Sequence, residues 1–72
     1  MKCPVCGGLA KNITKDGFEG VSVRCPVDGD FNIASGLSTK LQELSSTQRH
    51  YVLNKAITRA RGERPCINRD AL

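Results

Sequence analysis

Two thiols separated by two residues, Cys3 and Cys6, open this chain, and a near copy of their hexapeptide returns at Cys25. The copies read Cys3-Pro4-Val5-Cys6-Gly7-Gly8 and Cys25-Pro26-Val27-Asp28-Gly29-Asp30, alike at four of six positions, with Asp28 where the first copy carries its second thiol. A Cys-x-x-Cys-Gly turn aims two sulfurs at one point, while the glycine takes backbone angles that a side chain would forbid. Two such turns in a short chain complete a tetrahedral site, and thiolates in that arrangement select zinc. Cys3, Cys6 and Cys25 are therefore three expected ligands of one structural Zn2+.

The fourth ligand is open at this level. Asp28 holds the register position and carries the charge of the thiolate it replaces. Cys66 has the better donor chemistry but lies far along the chain between Pro65 and Ile67. His50 or a water would serve in their absence, and a metal-free cluster is the remaining alternative. Asp28-Gly29 is also an ordinary turn dipeptide, whose carboxylate accepts backbone N–H bonds. Cys66 read plainly is a small apolar residue.

Catalytic readings of the same residues are poor. A redox dithiol at Cys3 and Cys6 would be expected to open a helix in a βαβ unit, whereas Gly7-Gly8 favours a turn. An open catalytic zinc needs a bound water and a neighbouring acid or base. Three thiolates blunt the Lewis acidity of the ion, and His50 has no visible partner in the sequence. There is no Ser/His/Asp set and no phosphate loop, so the expectation is no enzyme and no small-molecule substrate.

Two turns can share an ion only if intervening strands fold them together. The 18 residues between Cys6 and Cys25 suit a hairpin. Residues 9–15 read as a first strand and Lys15-Asp16-Gly17 as a turn. Residues 20–24 alternate Val21 and Val23 with Ser22 and Arg24, the period of a half-buried strand. Residues 30–33 give a third strand with Phe31 and Ile33 on one face. Beyond residue 37 the pattern becomes helical. Thr39-x-x-Gln42 and Ser45-x-x-Gln48 both fit a capping box, which predicts a short helix over 39–44 and a longer one over 46–61, stopped by Gly62 and Pro65. Val52, Leu53, Ala56, Ile57 and Ala60 form the longer helix's apolar stripe, with Tyr51, Lys55, Thr58 and Arg59 opposite. Residues 63–72 read as an irregular tail. The expected architecture is a small metal-stabilised α+β domain over residues 1–72. It has a ribbon of about three short antiparallel strands in 1–36, helices in 37–62, and the tail.

Seventy-two residues with three aromatic side chains are marginal for an unaided core. A staple is expected, and metal rather than disulfide: only Met1-Lys2 stand before Cys3, with no apolar signal segment, and no apolar run approaches the roughly 20 residues of a membrane span. These features point to a soluble, cytoplasmic protein with reduced thiols. The net charge of +4 is uneven. Residues 1–36 balance four cations with four anions, whereas residues 37–72 carry seven cations against three anions. Such asymmetry is a mild signal for nucleic acid or an acidic partner.

The motifs Cys3-Pro4-Val5-Cys6-Gly7 and Cys25-Pro26-Val27-Asp28-Gly29 resemble those of the zinc ribbon (zinc β-ribbon, rubredoxin-like) group, over about residues 1–33. The chain looks like a small prokaryotic or phage member of that group. The resemblance implies a structural zinc held by Cys3, Cys6 and Cys25, with Asp28 departing from the four-cysteine pattern. It leaves the role open, because zinc ribbons occur in transcription factors, polymerase subunits and ribosomal proteins alike.

Two binding roles follow as expectations. One is an interaction or adaptor module, with a protein partner or a second copy, since Leu37, Leu41, Leu44 and Tyr51 exceed what a small ribbon covers. The alternative is nucleic-acid contact through Lys40, Lys55, Arg59, Arg61 and Arg64. Against the alternative, helix C-termini favour cations in any case, and only Phe18 and Phe31 could stack on bases from the ribbon.

Overall fold

The computed structural model describes residues 1–69. Its elements, in chain order, are β1 (Lys11–Asn12), β2 (Gly20–Cys25), β3 (Gly29–Ala34), α1 (Ser38–Gln42), α2 (Ser46–Ala60) and β4 (Cys66–Ile67). The small α+β class is the one the pattern predicts. The sheet has four strands rather than three, in the order β1-β2-β3-β4.

The alternation in β2 and β3 sets the register. Val21 pairs with Ile33 and Val23 with Phe31, all from the inward set, whereas Ser22 pairs with Asn32 and Arg24 with Asp30 on the outward face. Val23, Phe31 and Ile33 are buried completely. β1 is shorter than the expected strand over 9–15 because Asn12 turns the chain. Its Oδ1 accepts hydrogen bonds from the Thr14 amide at 3.0 Å and the Thr14 hydroxyl at 2.6 Å, an Asx-type turn that competes with the ladder. Gly20, with φ of 137°, is required where β2 begins. A Cβ there would collide with the Ile33 carbonyl oxygen and lie 3.1 Å from the Phe18 ring, which rests over the gap.

The second capping box forms and the first does not. Ser45 Oγ accepts from the Gln48 amide and Gln48 Oε1 accepts from the Ser45 amide, which starts α2. α1 begins after Leu37 with no side-chain cap. Gln42, expected to close a box with Thr39, instead donates from Nε2 to the Pro4 carbonyl at 3.1 Å and accepts from Arg49 at 3.4 Å. A local capping partner is thereby used to tie α1 to the first Cys turn and to α2. At its far end α2 stops with Arg61 in the left-handed region, φ 51°, followed by Gly62.

The tail is the main departure from the sequence reading. Cys66–Ile67 forms β4, which runs parallel to β3 with Asn32 opposite Cys66 and Ile33 opposite Ile67. The Asn32 amide also donates to the Pro65 carbonyl at 2.8 Å. A return of the chain across α2 to a parallel strand is a crossover connection, and two residues of β4 carry no periodicity by which to foresee it. Residues 70–72, the end of the expected irregular tail, lie outside the described residues.

The core lies between the inner face of the sheet and the helices. It joins Val23, Phe31 and Ile33 to Val5, Leu37, Leu41, Val52, Leu53, Ala56 and Ile67, and runs without a break into Cys3 and Cys25. Ile57, placed in the apolar stripe by its spacing, is 45% exposed: the sheet is narrow and covers only the middle of that stripe. Among the described residues no helix is long and apolar enough to cross a membrane.

Candidate metal centre

The two Cys-Pro-Val turns are backbone equivalents as well as sequence equivalents. Gly7 and Gly29 sit at φ of 78° and 80°, at the same position of each copy. The first turn is closed by hydrogen bonds from the Gly7 amide to the Cys3 carbonyl at 2.9 Å and from the Cys3 amide to the Gly8 carbonyl at 2.7 Å. The second is the loop of the β2–β3 hairpin, whose last pair is Cys25 with Gly29.

This pairing brings one sulfur each from Cys3, Cys6 and Cys25, and one oxygen from Asp28, within 4.8 Å of one another. Cys6 Sγ and Cys25 Sγ are 3.6 Å apart, and Asp28 Oδ2 lies 3.3 Å from Cys3 Sγ and 3.6 Å from Cys25 Sγ. Cys3 and Cys25 are buried, whereas Cys6 and Asp28 are partly exposed. The four residues form a candidate metal site, and among the described residues they are the donors that converge.

Two of the thiols are held in the protonated form by their surroundings. Burial, above all, pushes the Cys3 thiol up to about 12, with Asp28 and Cys25 adding to the rise against the Cys6 and Val5 amides. The Cys6 thiol is raised as well: the Gly8 amide, 3.5 Å from its sulfur, favours the thiolate, but burial, Asp28 and Cys25 outweigh it. A bound cation inverts this balance, because metal-bound thiols are deprotonated.

Cys66 is not part of the centre. In a parallel ladder paired residues share a face, so Cys66 follows Asn32 to the outer face of the sheet, where it is exposed, away from the inward-facing Cys25. His50, expected as an alternative fourth ligand and with no partner visible in the sequence, lies outside the donor cluster but next to Asp28. Its Nδ1 lies 2.8 Å from the Ser46 carbonyl, which only accepts, so Nδ1 is the donor. The other nitrogen, Nε2, stands 3.6 Å from Asp28 Oδ1. One Asp28 oxygen thus faces the sulfurs and the other faces His50. The 22-residue gap between them hides the contact in the sequence. The only available signal was that the Ser45 cap places His50 in the second turn of α2.

The basic residues do not form one patch, although Arg59 and Arg64 border a common cleft with Cys66. Lys55 and Arg59 border one shallow cleft of about 330 Å3 with Tyr51, Asn54 and Thr58, and the Lys55 ammonium sits 4.9 Å above the Tyr51 ring. Lys40, exposed on α1, and Arg61, at the end of α2, do not line it. Arg64 turns to the outer face of the sheet, 3.9 Å from Asp30. The apolar surplus is also smaller than expected, since Leu37 and Leu41 are buried and Leu44 is partly covered, leaving Tyr51 exposed.

Compared with protein-family models, with curated proteins and with solved structures, the chain has no match.

Proposed function

We propose that the chain is a non-enzymatic interaction module of zinc-ribbon type, stapled by one structural Zn2+ on Cys3, Cys6, Cys25 and Asp28. The observation that carries this reading is the spacing of the donors. A tetrahedron with Zn–S of about 2.3 Å and Zn–O of about 2.1 Å has S···S edges near 3.8 Å and S···O edges of about 3.6 Å. Three of the six donor separations, at 3.6, 3.3 and 3.6 Å, fall close to those edges, and all six lie within 4.8 Å. Three sulfurs favour zinc over magnesium or calcium, which take oxygen ligands. The second Cys turn fills the fourth position with Asp28, so the donor set suits a closed structural ion. It also implies reducing surroundings such as the cytoplasm.

A protein partner or a second copy is the favoured ligand of the module. Leu9 and Val27, in the two Cys-turn regions, are 85% and 79% exposed, and Tyr51 and Ile57 are exposed on α2. The nucleic-acid alternative draws on the Lys55–Arg59 cleft, where two cations flank Tyr51.

Elemental analysis combined with thiol counting tests the metal. The expected result is one zinc per chain, three thiols protected from alkylation, and Cys66 reactive. Four reactive thiols in folded protein would refute it. A mass that rises with concentration and survives high salt supports partnering. Retention on heparin that collapses with salt and with Lys55→Ala plus Arg59→Ala supports nucleic acid.

A further inference from the structure

The outer face of the sheet holds a second feature, separate from the metal centre and from the outer side of α2. Lys15, Phe18, Ser22, Asn32 and Arg64 line a cleft of about 360 Å3, within the size range of small-ligand sites. Its floor is the outward pair Ser22 and Asn32, side by side on β2 and β3. Ser22 is 5% exposed, the one buried polar residue among those described. Its amide donates to the Thr14 hydroxyl at 2.8 Å and its carbonyl accepts from the Ile13 amide at 2.9 Å. Its own hydroxyl has no partner among the described residues, and a hydroxyl kept from water without one is held at a cost. The Asn32 amide oxygen is sealed from solvent, so the polar end of that side chain that keeps surface is the Nδ2 donor, which is equally unbonded.

The rim is cationic. Lys15 and Arg64 supply two positive charges, and among the described residues no carboxylate lines the cleft with them. Asp30, which Arg64 reaches at 3.9 Å, is already engaged by Arg24 through contacts of 3.1, 3.4 and 3.2 Å. Arg24 in turn stands opposite Lys11 in the ladder, a like-charged pair that the sheet holds at a cost. One carboxylate therefore answers three cations, and Lys15 adds a fourth. Neither Asp16 nor Glu19, on its own loop, pairs with Lys15 among the described residues. Beside these charges Phe18 is 39% exposed, its ring held over Gly20, where any Cβ would lie 3.1 Å from it. It is an apolar wall next to the cationic rim.

We propose that this cleft binds a small phosphate monoester, with the phosphate between Lys15 and Arg64 and its ester group against Phe18. Every polar side chain that lines the cleft offers a donor: an ammonium, a guanidinium, a hydroxyl and an amide N–H. A ligand that answers them all is rich in acceptors and poor in donors, which describes an oxyanion. The two rim cations match the charge of about −1.5 to −2 that a phosphate monoester carries at pH 7. Its three terminal oxygens also serve more donors than the two of a carboxylate. Phe18 gives apolar cover to an ester group, which inorganic phosphate lacks. The site uses none of the residues of the metal centre or of the α2 cleft, so it goes beyond the module reading and does not rest on it.

The test titrates the whole folded chain with phenyl phosphate, methyl phosphate and phenyl sulfate, the last a monoanion of nearly the same shape as the first. Saturable binding of phenyl phosphate is expected, with amide shifts in NMR centred on Phe18, Ser22, Asn32 and Arg64. Methyl phosphate should bind about fivefold more weakly, and Phe18→Ala should erase that difference. Phenyl sulfate should bind roughly tenfold more weakly, for want of the second charge. Lys15→Ala and Arg64→Ala, both at exposed positions, should each weaken phenyl phosphate about tenfold. Asn32→Asp, which sets a carboxylate on the floor, should abolish binding. Lys55→Ala plus Arg59→Ala should leave it unchanged, and zinc content should be the same in every variant, so failure here is distinguishable from failure of the α2 alternative or of the metal centre. Absence of saturable binding by folded protein, equal affinity for the sulfate, or binding indifferent to Lys15→Ala and Arg64→Ala overturns the proposal. So does displacement of phenyl phosphate by an equal concentration of an oligonucleotide that has no terminal phosphate.

Discussion

Asp28 differs from the cysteine it replaces by more than its donor atom. A thiolate offers one sulfur to an ion, whereas a carboxylate has a second oxygen, and here that oxygen meets His50 Nε2 at 3.6 Å. Because Nδ1 donates to Ser46, Nε2 attracts that oxygen only when the ring carries both protons, and the contact then orients the carboxylate as an outer-shell partner does. His50→Ala should weaken zinc about tenfold or more in competition with a chromophoric chelator, without changing the ligand count. Asp28→Cys should keep one zinc per chain and become insensitive to His50→Ala, since no second oxygen remains to be oriented. Cys66→Ser should leave zinc content and melting temperature unchanged, because Cys66 points to the opposite face of the sheet. At this scale the three thiols and Asp28 were legible from the repeat alone. His50 was not: an interaction between a turn and a helix 22 residues later has no local period.

Among the elements, β2, β3 and α2 were legible because a period and a punctuation mark agreed: alternation bounded by Gly20 and the Cys25 turn, or an apolar stripe opened by Ser45 and closed by Gly62. α1 and β4 were less so, and the reasons differ. Thr39 and Gln42 carry the right residues for a cap, but tertiary contact with Pro4 outbids the local bond for Gln42. β4 is two residues long and owes its pairing to β3, so nothing in residues 66–67 announces it. Ser45→Ala should destabilise the fold by about 1 kcal/mol, seen as a melting temperature lower by about 4–8 °C. Ile67→Ala, at a fully buried position, should cost about 2–4 kcal/mol. An Ile67→Ala variant as stable as the parent would mean that residues 66–67 do not close the sheet.

The whole molecule is small enough that an ion bound at the proposed centre would decide its state. Its core is continuous from Leu53 and Ile67 to Cys3 and Cys25, so the metal centre is one end of the apolar interior and not an appendage. The binding free energy of a structural zinc is then folding free energy. Treatment with a strong chelator should abolish the cooperative thermal transition and much of the circular dichroism, and zinc should restore both. Persistence of the transition after complete metal removal would show that the apolar core suffices alone. The α+β class was legible from the pattern, and the short chain with so few large side chains called for a staple, for which the clustered donors are the candidate. The partner was not legible, because surface chemistry that meets another molecule leaves no periodicity in the chain.

Unequal cover over the four donors has a kinetic corollary. Cys3 and Cys25 are shut in at 2% and 3% exposure and the Asp28 side chain at 6%, whereas Cys6 is partly open. An incoming thiol or competing cation would therefore meet Cys6 first, and substitution at a metal held here would proceed from that side. The rate of isotope exchange should then be set by how often the Cys6 sulfur lets go.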